Sequence, residues 1–421
     1  MVTELKETRS IAHYTIDGIA PRAVTLASTE AEVAAALRAA ADAGEVVVPW
    51  GAGSRQDLGN PLGEVGLVLS LEQMNQVVEY VPTDMTITVE AGMRFADLQA
   101  LTARNCQTVL LDPPRAAGAT IGGIVATAAF GPRRTAYGAV RDLLLGTRIA
   151  LPDGRVIKAG GKVVKNVAGY DISKLMAGSL GTLGIITEIS LRLRPLPADC
   201  RTLLYGFAEP GQAMETAEKI LASELLPASV VVATPGAARR LGAPGAWMLA
   251  LALEESAENN AYQVDRLAQM VRGQTEGATL TGDPDRSFWD ALTNYGDRFG
   301  AAFRMRVGTV ISALGGQLDG CSAAGKADGL DAIAYVQSGT VVLYGFQSDG
   351  DIAAMEGTVK ARFAATAGEG GSAVLESGPT ALRRRFDVWG PPRPEWQLAA
   401  RIKQTFDPKR ILNRGRFAGG L

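Results

Sequence analysis

Three glycine-rich segments between residues 49 and 187 constrain the fold more than any other feature of the chain. Each stands beside a short apolar run, and glycine lets a backbone turn sharply or lie close against another group. The first, Pro49-Trp50-Gly51-Ala52-Gly53-Ser54, directly follows the apolar run at residues 45–49. Small residues at 51–53 let successive N–H groups converge on one concavity, a nest suited to a pyrophosphate. No Gly-Lys-Ser/Thr follows, so it is not a Walker loop. Gln56 stands where a dinucleotide fingerprint needs its third glycine. Taken alone, such a loop is more often an ordinary turn.

The second segment, residues 112–123, contains Gly118, Thr120, Ile121, Gly122 and Gly123. It leads into a helix start whose free N–H groups suit an anion. Close approach to a ligand and tight helix–sheet packing explain its glycine pair equally well. The third segment runs from Lys165 through Asn166 and Gly169 to Asp171. It resumes from Gly178 through Gly181 and Gly184 to Ile185, Ile186 and Thr187. Small residues ahead of an alternating strand suggest backbone lying against a ligand, with Lys165 and Asn166 as donors to a ring edge.

Around these segments, residues 21–197 read as one α/β unit. Thr29 and Glu32 frame a capping box, Val33, Ala36, Leu37 and Ala40 give the helix its apolar side, and Gly44 stops it. Strands are expected at 45–49, 67–71, 85–90 and 185–193, with a hairpin over 148–159 around Pro152-Asp153-Gly154. Arg194-Pro195-Leu196-Pro197 marks a boundary. From residue 202 to about 371, strands and helices follow in an order that suggests an antiparallel sheet with helices on one face. One of those strands is expected over 304–313. A last helix carries Trp396, Ala399, Ile402 and Phe406 and breaks at Asp407-Pro408. The expected division is 1–197, then 198–375 as an α+β domain on the substrate side, then a segment 376–421 returning to the first.

Composition removes several classes of function. Lys and Arg total 42 against 44 Asp and Glu, a net charge of −2. That leaves no cation surplus for nucleic acid or for an anionic membrane surface. Cys106, Cys200 and Cys321 lie too far apart for an iron–sulfur or zinc site, and their sparse, odd count fits a reducing cytosol. Residues 1–10 lack the apolar stretch of a signal peptide, and the longest uncharged run, 116–132, is too short to span a bilayer. A cytoplasmic location is expected. The only histidine, His13, excludes a His-rich metal site and any mechanism needing two imidazoles. It reads as a surface or core-edge residue, and no metal is expected.

Taken in order, Pro49 to Ser54, Gly118 to Gly123, Tyr137-Gly138 with Val140-Arg141-Asp142, Lys165 to Asp171 and Gly178 to Thr187 carry a resemblance. They are similar to the FAD-binding domain of the vanillyl-alcohol-oxidase, or PCMH-type, family. The tail Phe406-Asp407-Pro408-Lys409-Arg410-Ile411-Leu412-Asn413-Arg414-Gly415-Arg416 resembles the C-terminal signature of its D-2-hydroxy-acid dehydrogenase branch. The resemblance implies a two-domain α+β PCMH-type fold with a second α+β cap domain. It implies FAD, held without a covalent bond because neither His13 nor any cysteine falls in a flavin motif. By the same resemblance, Pro49, Trp50, Gly51, Ala52, Gly53 and Ser54 hold the pyrophosphate. Gly118, Thr120, Ile121, Gly122, Gly123, Gly138, Arg141 and Asp142 flank pyrophosphate and ring. Gly184, Ile185, Ile186 and Thr187 line the adenosine side, and Asn413 and Arg416 close over the flavin.

Within the family the likeness runs to accessory flavin subunits of bacterial glycolate-oxidising complexes. It implies electron exchange with a larger FAD-containing glycolate oxidase subunit and an iron–sulfur subunit, on a small 2-hydroxy acid, with the membrane reached only through partners. The alternatives are a self-sufficient FAD-dependent D-2-hydroxy-acid or alcohol dehydrogenase, and a structural subunit with a non-catalytic FAD. Ala52 replaces a common glycine, Leu180 stands where the larger subunits usually have Glu, and Arg414 replaces a usual proline. These departures set the chain apart from the fully catalytic branch without removing a backbone donor. No catalytic residue is assigned. Arg304 and Arg306 suit a carboxylate and Tyr335 or Tyr344 a proton, but they read first as a solvated strand face and core aromatics.

Overall fold

The computed structural model describes residues 10–161, 170–273, 275, 277–324, 330–347, 351–368 and 370–421. The start of the chain and the expected ligand-side residues Lys165, Asn166 and Gly169 lie outside the described residues. Two compact units emerge, and the fold is mixed α+β. In the first, Gly138–Leu196 and Asp387–Leu421 join the stretch ending at Phe130. The second combines Gly131–Tyr137 with Pro197–Phe386.

The first unit begins with three parallel strands, β1 (Ala23–Leu26), β2 (Val47–Trp50) and β3 (Leu67–Ser70), in the order β1-β3-β2. Helix α1 (Glu30–Ala43) carries the chain from β1 across to β2, on the far side of β3. The Thr29 hydroxyl accepts the Glu32 N–H at 3.2 Å, and Gly44 ends the helix in the left-handed region at φ +67°. In the return half of the capping box the Glu32 carboxylate reaches one residue further back and accepts the N–H of Ser28 at 2.8 Å.

The remaining strands of this unit are antiparallel. They are β4 (Val77–Val81), β5 (Thr86–Glu90), β6 (Gln107–Thr108), β7 (Leu144–Ala150), β8 (Val156–Gly160), β9 (Ile185–Arg192) and β10 (Arg194–Pro195). Five form a sheet in the order β4-β5-β9-β7-β8, and β6 pairs with β10. The expected hairpin is β7–β8, with Arg148 opposite Lys158. Ser190 of β9 is buried, its hydroxyl meeting that of Thr88 across the strands at 2.8 Å. The C-terminal tail then returns to the parallel sheet. Val47 donates to Ile411 O at 2.8 Å and Asn413 donates to Val47 O at 2.9 Å, bringing Asn413 to β2, the strand that leads into the first glycine loop.

The second unit holds β11 (Asp199–Phe207), β12 (Ser229–Ala233), β13 (Trp247–Glu255), β14 (Gly277–Thr281), β15 (Phe303–Gly308), β16 (Leu330–Tyr335), β17 (Thr340–Gly345) and β18 (Ser372–Ser377). They form one antiparallel sheet, ordered β14-β11-β13-β12-β16-β17-β15-β18. The strand expected through residue 313 ends at Gly308, and Leu314–Ala324 is helix. Leu314, Leu318 and Cys321 bury one face of it at helical spacing. Gly315, Gly316 and Gly320 lower its apparent propensity and hide that pattern in the sequence. Residue 376, the expected start of the returning segment, lies inside β18.

Candidate functional site

Beyond Trp50 the chain leaves the parallel sheet and wraps one wall of a cavity in the first unit. Counting the open solvent at its mouth, the space within its walls comes to about 790 Å³. Pro49, Trp50, Gly51, Ala52, Gly53 and Ser54 form that wall, continued by Arg55, Gln56 and Leu58. Thr120, Gly122 and Gly123 face it with Ala126 and Thr127. Leu180, Gly181, Gly184, Ile185 and Ile186 supply a third side, and Asn413 and Arg416 come from the tail.

The wall is rich in unused donors. Among the described residues, no hydrogen bond uses the N–H of Gly51, Ala52, Gly53 or Ser54. Four successive amides on a concave surface are the nest that an anion satisfies. The loop is braced from behind. Arg115 donates to Ser54 O at 2.7 Å and pairs with Asp57 at 3.0 Å. Arg416 donates to Gln56 O at 2.8 Å and to Gln56 Oε1 at 3.2 Å. Gly53 takes φ +71°, and a Cβ there would overlap the Trp50 indole.

Two orphaned side-chain atoms belong to the cavity's residues. Asn413 donates through Nδ2 to Leu180 O at 2.6 Å, while its buried Oδ1 has no partner. The Trp50 Nε1–H is also buried without an acceptor. Buried polar atoms left unpaired cost about 1–3 kcal/mol each, so such atoms at a cavity point to a polar ligand. The donor set fits a pyrophosphate-bearing molecule with hydroxyl or ring N–H groups.

Other expected site residues stand elsewhere. Helix α2 (Phe95–Ala103) precedes the second glycine segment and helix α3 (Ile121–Thr127) follows it. The first N–H groups of α3 are not free. Ile121 donates to Met93 O at 2.9 Å, Gly122 to Ala91 O at 2.9 Å and Gly123 to the Thr120 hydroxyl at 3.2 Å. A Cβ on Gly122 would lie 2.7 Å from Ala91 O, so that glycine serves close packing as well as the cavity. Ile121 is core. Gly118 is exposed, its carbonyl accepting from Arg94 at 2.7 Å. Gly138, at φ +89°, Arg141 and Asp142 do not line the cavity. The Asp142 carboxylate instead accepts the Ala139 N–H at 2.8 Å and caps its own short helix.

Thr187 lies in the β9 core, donating to Glu30 Oε2 at 2.9 Å, and Arg148 holds the same carboxylate at 2.8 Å. The Arg148 bond keeps the Glu30 carboxyl below its usual range, against the opposing effect of burial. His13 is exposed, its ring edge-on to Tyr14 at 4.9 Å and Trp50 at 5.9 Å. Neither it nor the exposed Cys106 lines the cavity.

In the second unit, Arg304 is not on a solvated face. It is half-buried beside Glu376 at 3.2 Å, and Arg306 reaches the same carboxylate at 2.6 Å. Tyr335 and Tyr344 are buried core aromatics. Among the described residues, no group of three or more His, Cys, Asp or Glu side chains is placed to hold a metal ion, and no helix is long and apolar enough to cross a membrane.

The sequence reading missed Arg55, Gln56, Leu58, Leu71, Ala91, Ala126, Thr127, Leu180 and Gly181 as cavity residues. Leu180 and Gly181 sat inside a quoted motif. The others carried no compositional signal, since which neighbours of a glycine loop face a cleft is set by tertiary packing.

The FAD binding domain family matches residues 21–160, and the C-terminal domain of FAD linked oxidases matches residues 338–417. An FAD-linked oxidoreductase of Mycobacterium tuberculosis is 29% identical over 92% of this chain and 89% of its own length. Glycolate oxidase subunit GlcE of Escherichia coli is 41% identical over 36% of this chain and 43% of that protein. Subunit GlcD of Bacillus subtilis is 36% identical over 44% of this chain and 39% of that protein. The match thus spans less than half the length of either glycolate oxidase subunit. The solved structure of p-cresol methylhydroxylase with substrate bound shares the fold at TM-score 0.76, with 18% identity over 94% of this chain and 88% of that one.

Proposed function

Since the chain belongs to the FAD-linked oxidoreductases, with a PCMH-type fold and FAD as cofactor, we propose that it is the accessory flavin subunit of a glycolate-oxidising complex. Bound FAD supplies a centre that accepts a hydride and releases single electrons. The amides of Gly51, Ala52, Gly53 and Ser54 would hold its pyrophosphate, and Asn413 Oδ1 would accept from one of its hydroxyl or ring N–H groups. Arg115 and Arg416 keep the loop in shape behind them.

The observation that carries the accessory role is in the second unit. Oxidising a 2-hydroxy acid needs a cation for the carboxylate and a base for the hydroxyl proton. Arg304 and Arg306 are both engaged by Glu376, and the chain has one histidine, at position 13 in the other unit. The resemblance to GlcD and GlcE supports partners of those kinds: a larger FAD-containing subunit, and an iron–sulfur subunit to carry electrons onward. The proposal places the chain in the cytoplasm, near the inner membrane only through those partners.

Co-expression with the two partner subunits tests this. The three should co-purify, and glycolate should then bleach the flavin of this chain within the assembly. A chain that purifies alone, and whose flavin never responds to glycolate, contradicts the proposal.

A further inference from the structure

The tail that brings Asn413 to the cavity is held by a charge removed from water. Lys403, on the last helix (Trp396–Phe406), is 2% exposed, and Asp407 is fully buried. The Lys403 ammonium finds an acceptor for each of its hydrogens: Asp407 Oδ2 at 2.6 Å, Thr182 O at 2.7 Å and Leu412 O at 2.8 Å. Asp407 in turn accepts the N–H of Ile411 at 3.1 Å and of Leu412 at 2.8 Å. Burial pushes the lysine below its usual range, and the Asp407 charge opposes that shift.

A buried ion pair is weak evidence of stability, because desolvation offsets much of the attraction and apolar replacements often fold as well. What sets this pair apart is where its bonds land. Thr182 directly follows Gly181 on the cavity wall, and Leu412 directly precedes Asn413. Asn413 itself donates to Leu180 O at 2.6 Å. The ammonium therefore ties together the two segments, 180–184 and 412–413, that meet at the unpaired Asn413 Oδ1. Lys403 does not line that cavity.

We propose that Lys403 is a positioning residue for FAD, fixing Asn413 against the 180–184 loop without touching the cofactor. The proposal rests on the cavity being the FAD site, and the two fail differently. The test is a double-mutant cycle in the full chain: FAD dissociation constants for wild type, Lys403→Met, Asn413→Leu and the double variant, with thermal unfolding of each apoprotein. Asn413→Leu should weaken FAD by about tenfold, the loss of one hydrogen bond to a buried group. Lys403→Met should cost a similar factor. The double variant should bind no more weakly than Asn413→Leu alone, because both changes remove the same contact. Multiplying losses, or an FAD affinity unchanged in a folded Lys403→Met chain, would overturn the role of Lys403. Unchanged affinity in Asn413→Leu would instead overturn the cavity assignment. Should Lys403→Met not fold, Asp407→Asn replaces it in the cycle, keeping the ammonium while removing its counter-charge. The same non-additivity is expected, and multiplying losses again overturn the proposal.

Discussion

Gly53 lies against the indole of Trp50, so close that a Cβ on the glycine would occupy the ring's own volume. The tryptophan that ends β2 is thereby the floor of the loop it introduces. Any side chain at 53 must displace either the ring or the four amides above it. The left-handed φ of +71° adds about 1–2 kcal/mol for any L-residue.

Gly53→Val should therefore abolish FAD binding, with at least a hundredfold loss of affinity, about 2.7 kcal/mol. The second unit's sheet should stay folded. Flavin fluorescence titration gives the first quantity and far-ultraviolet circular dichroism the second. Stoichiometric flavin in the variant would show that the loop does not hold the cofactor.

The Glu30–Arg148–Thr187 network makes the first unit's stability depend on pH in one direction. The Glu30 carboxyl is held below its ordinary value of 4.5, chiefly by the Arg148 bond. A carboxyl depressed by folding stabilises the native state above that ordinary value, and the contribution fades as pH falls through the folded value. Arg148→Met should thus lower the unfolding temperature at pH 7. The gap from wild type should narrow steadily as pH is taken below 4.5. A gap equal at pH 7 and at acid pH would assign the loss to packing of the arginine stem.

Part of this was legible in the sequence because it is local chemistry. Thr29 and Gly44 bracket α1 through caps that need no distant partner, and β7–β8 follows from its turn. The first glycine loop could be read only in succession with the other glycine segments, since alone such a loop is more often an ordinary turn. Arg141 and Asp142 show where local reading stops: spacing places them, but whether Asp142 faces a ligand or its own helix N-terminus depends on backbone direction. The pairing of Arg304 was hidden for a different reason. Its partner Glu376 is two strands further along the chain than β16 and only the β15–β18 pairing brings them together.

Acid precipitation should release all of the flavin into the supernatant. Covalent attachment needs a nucleophile at the ring, and neither His13 nor any of the three cysteines lines the cavity. Colour retained in the washed pellet would mean that one of them reaches the cofactor after all.

The most direct measurement is steady-state oxidation of glycolate and of D-lactate by the FAD-loaded chain alone, with an artificial electron acceptor. An accessory subunit with Arg304 and Arg306 both committed to Glu376 should show no turnover above the flavin-only background, while the assembled complex turns over. Turnover by the isolated chain comparable with that of the complex would contradict the accessory role and make this protein a self-sufficient hydroxy-acid dehydrogenase.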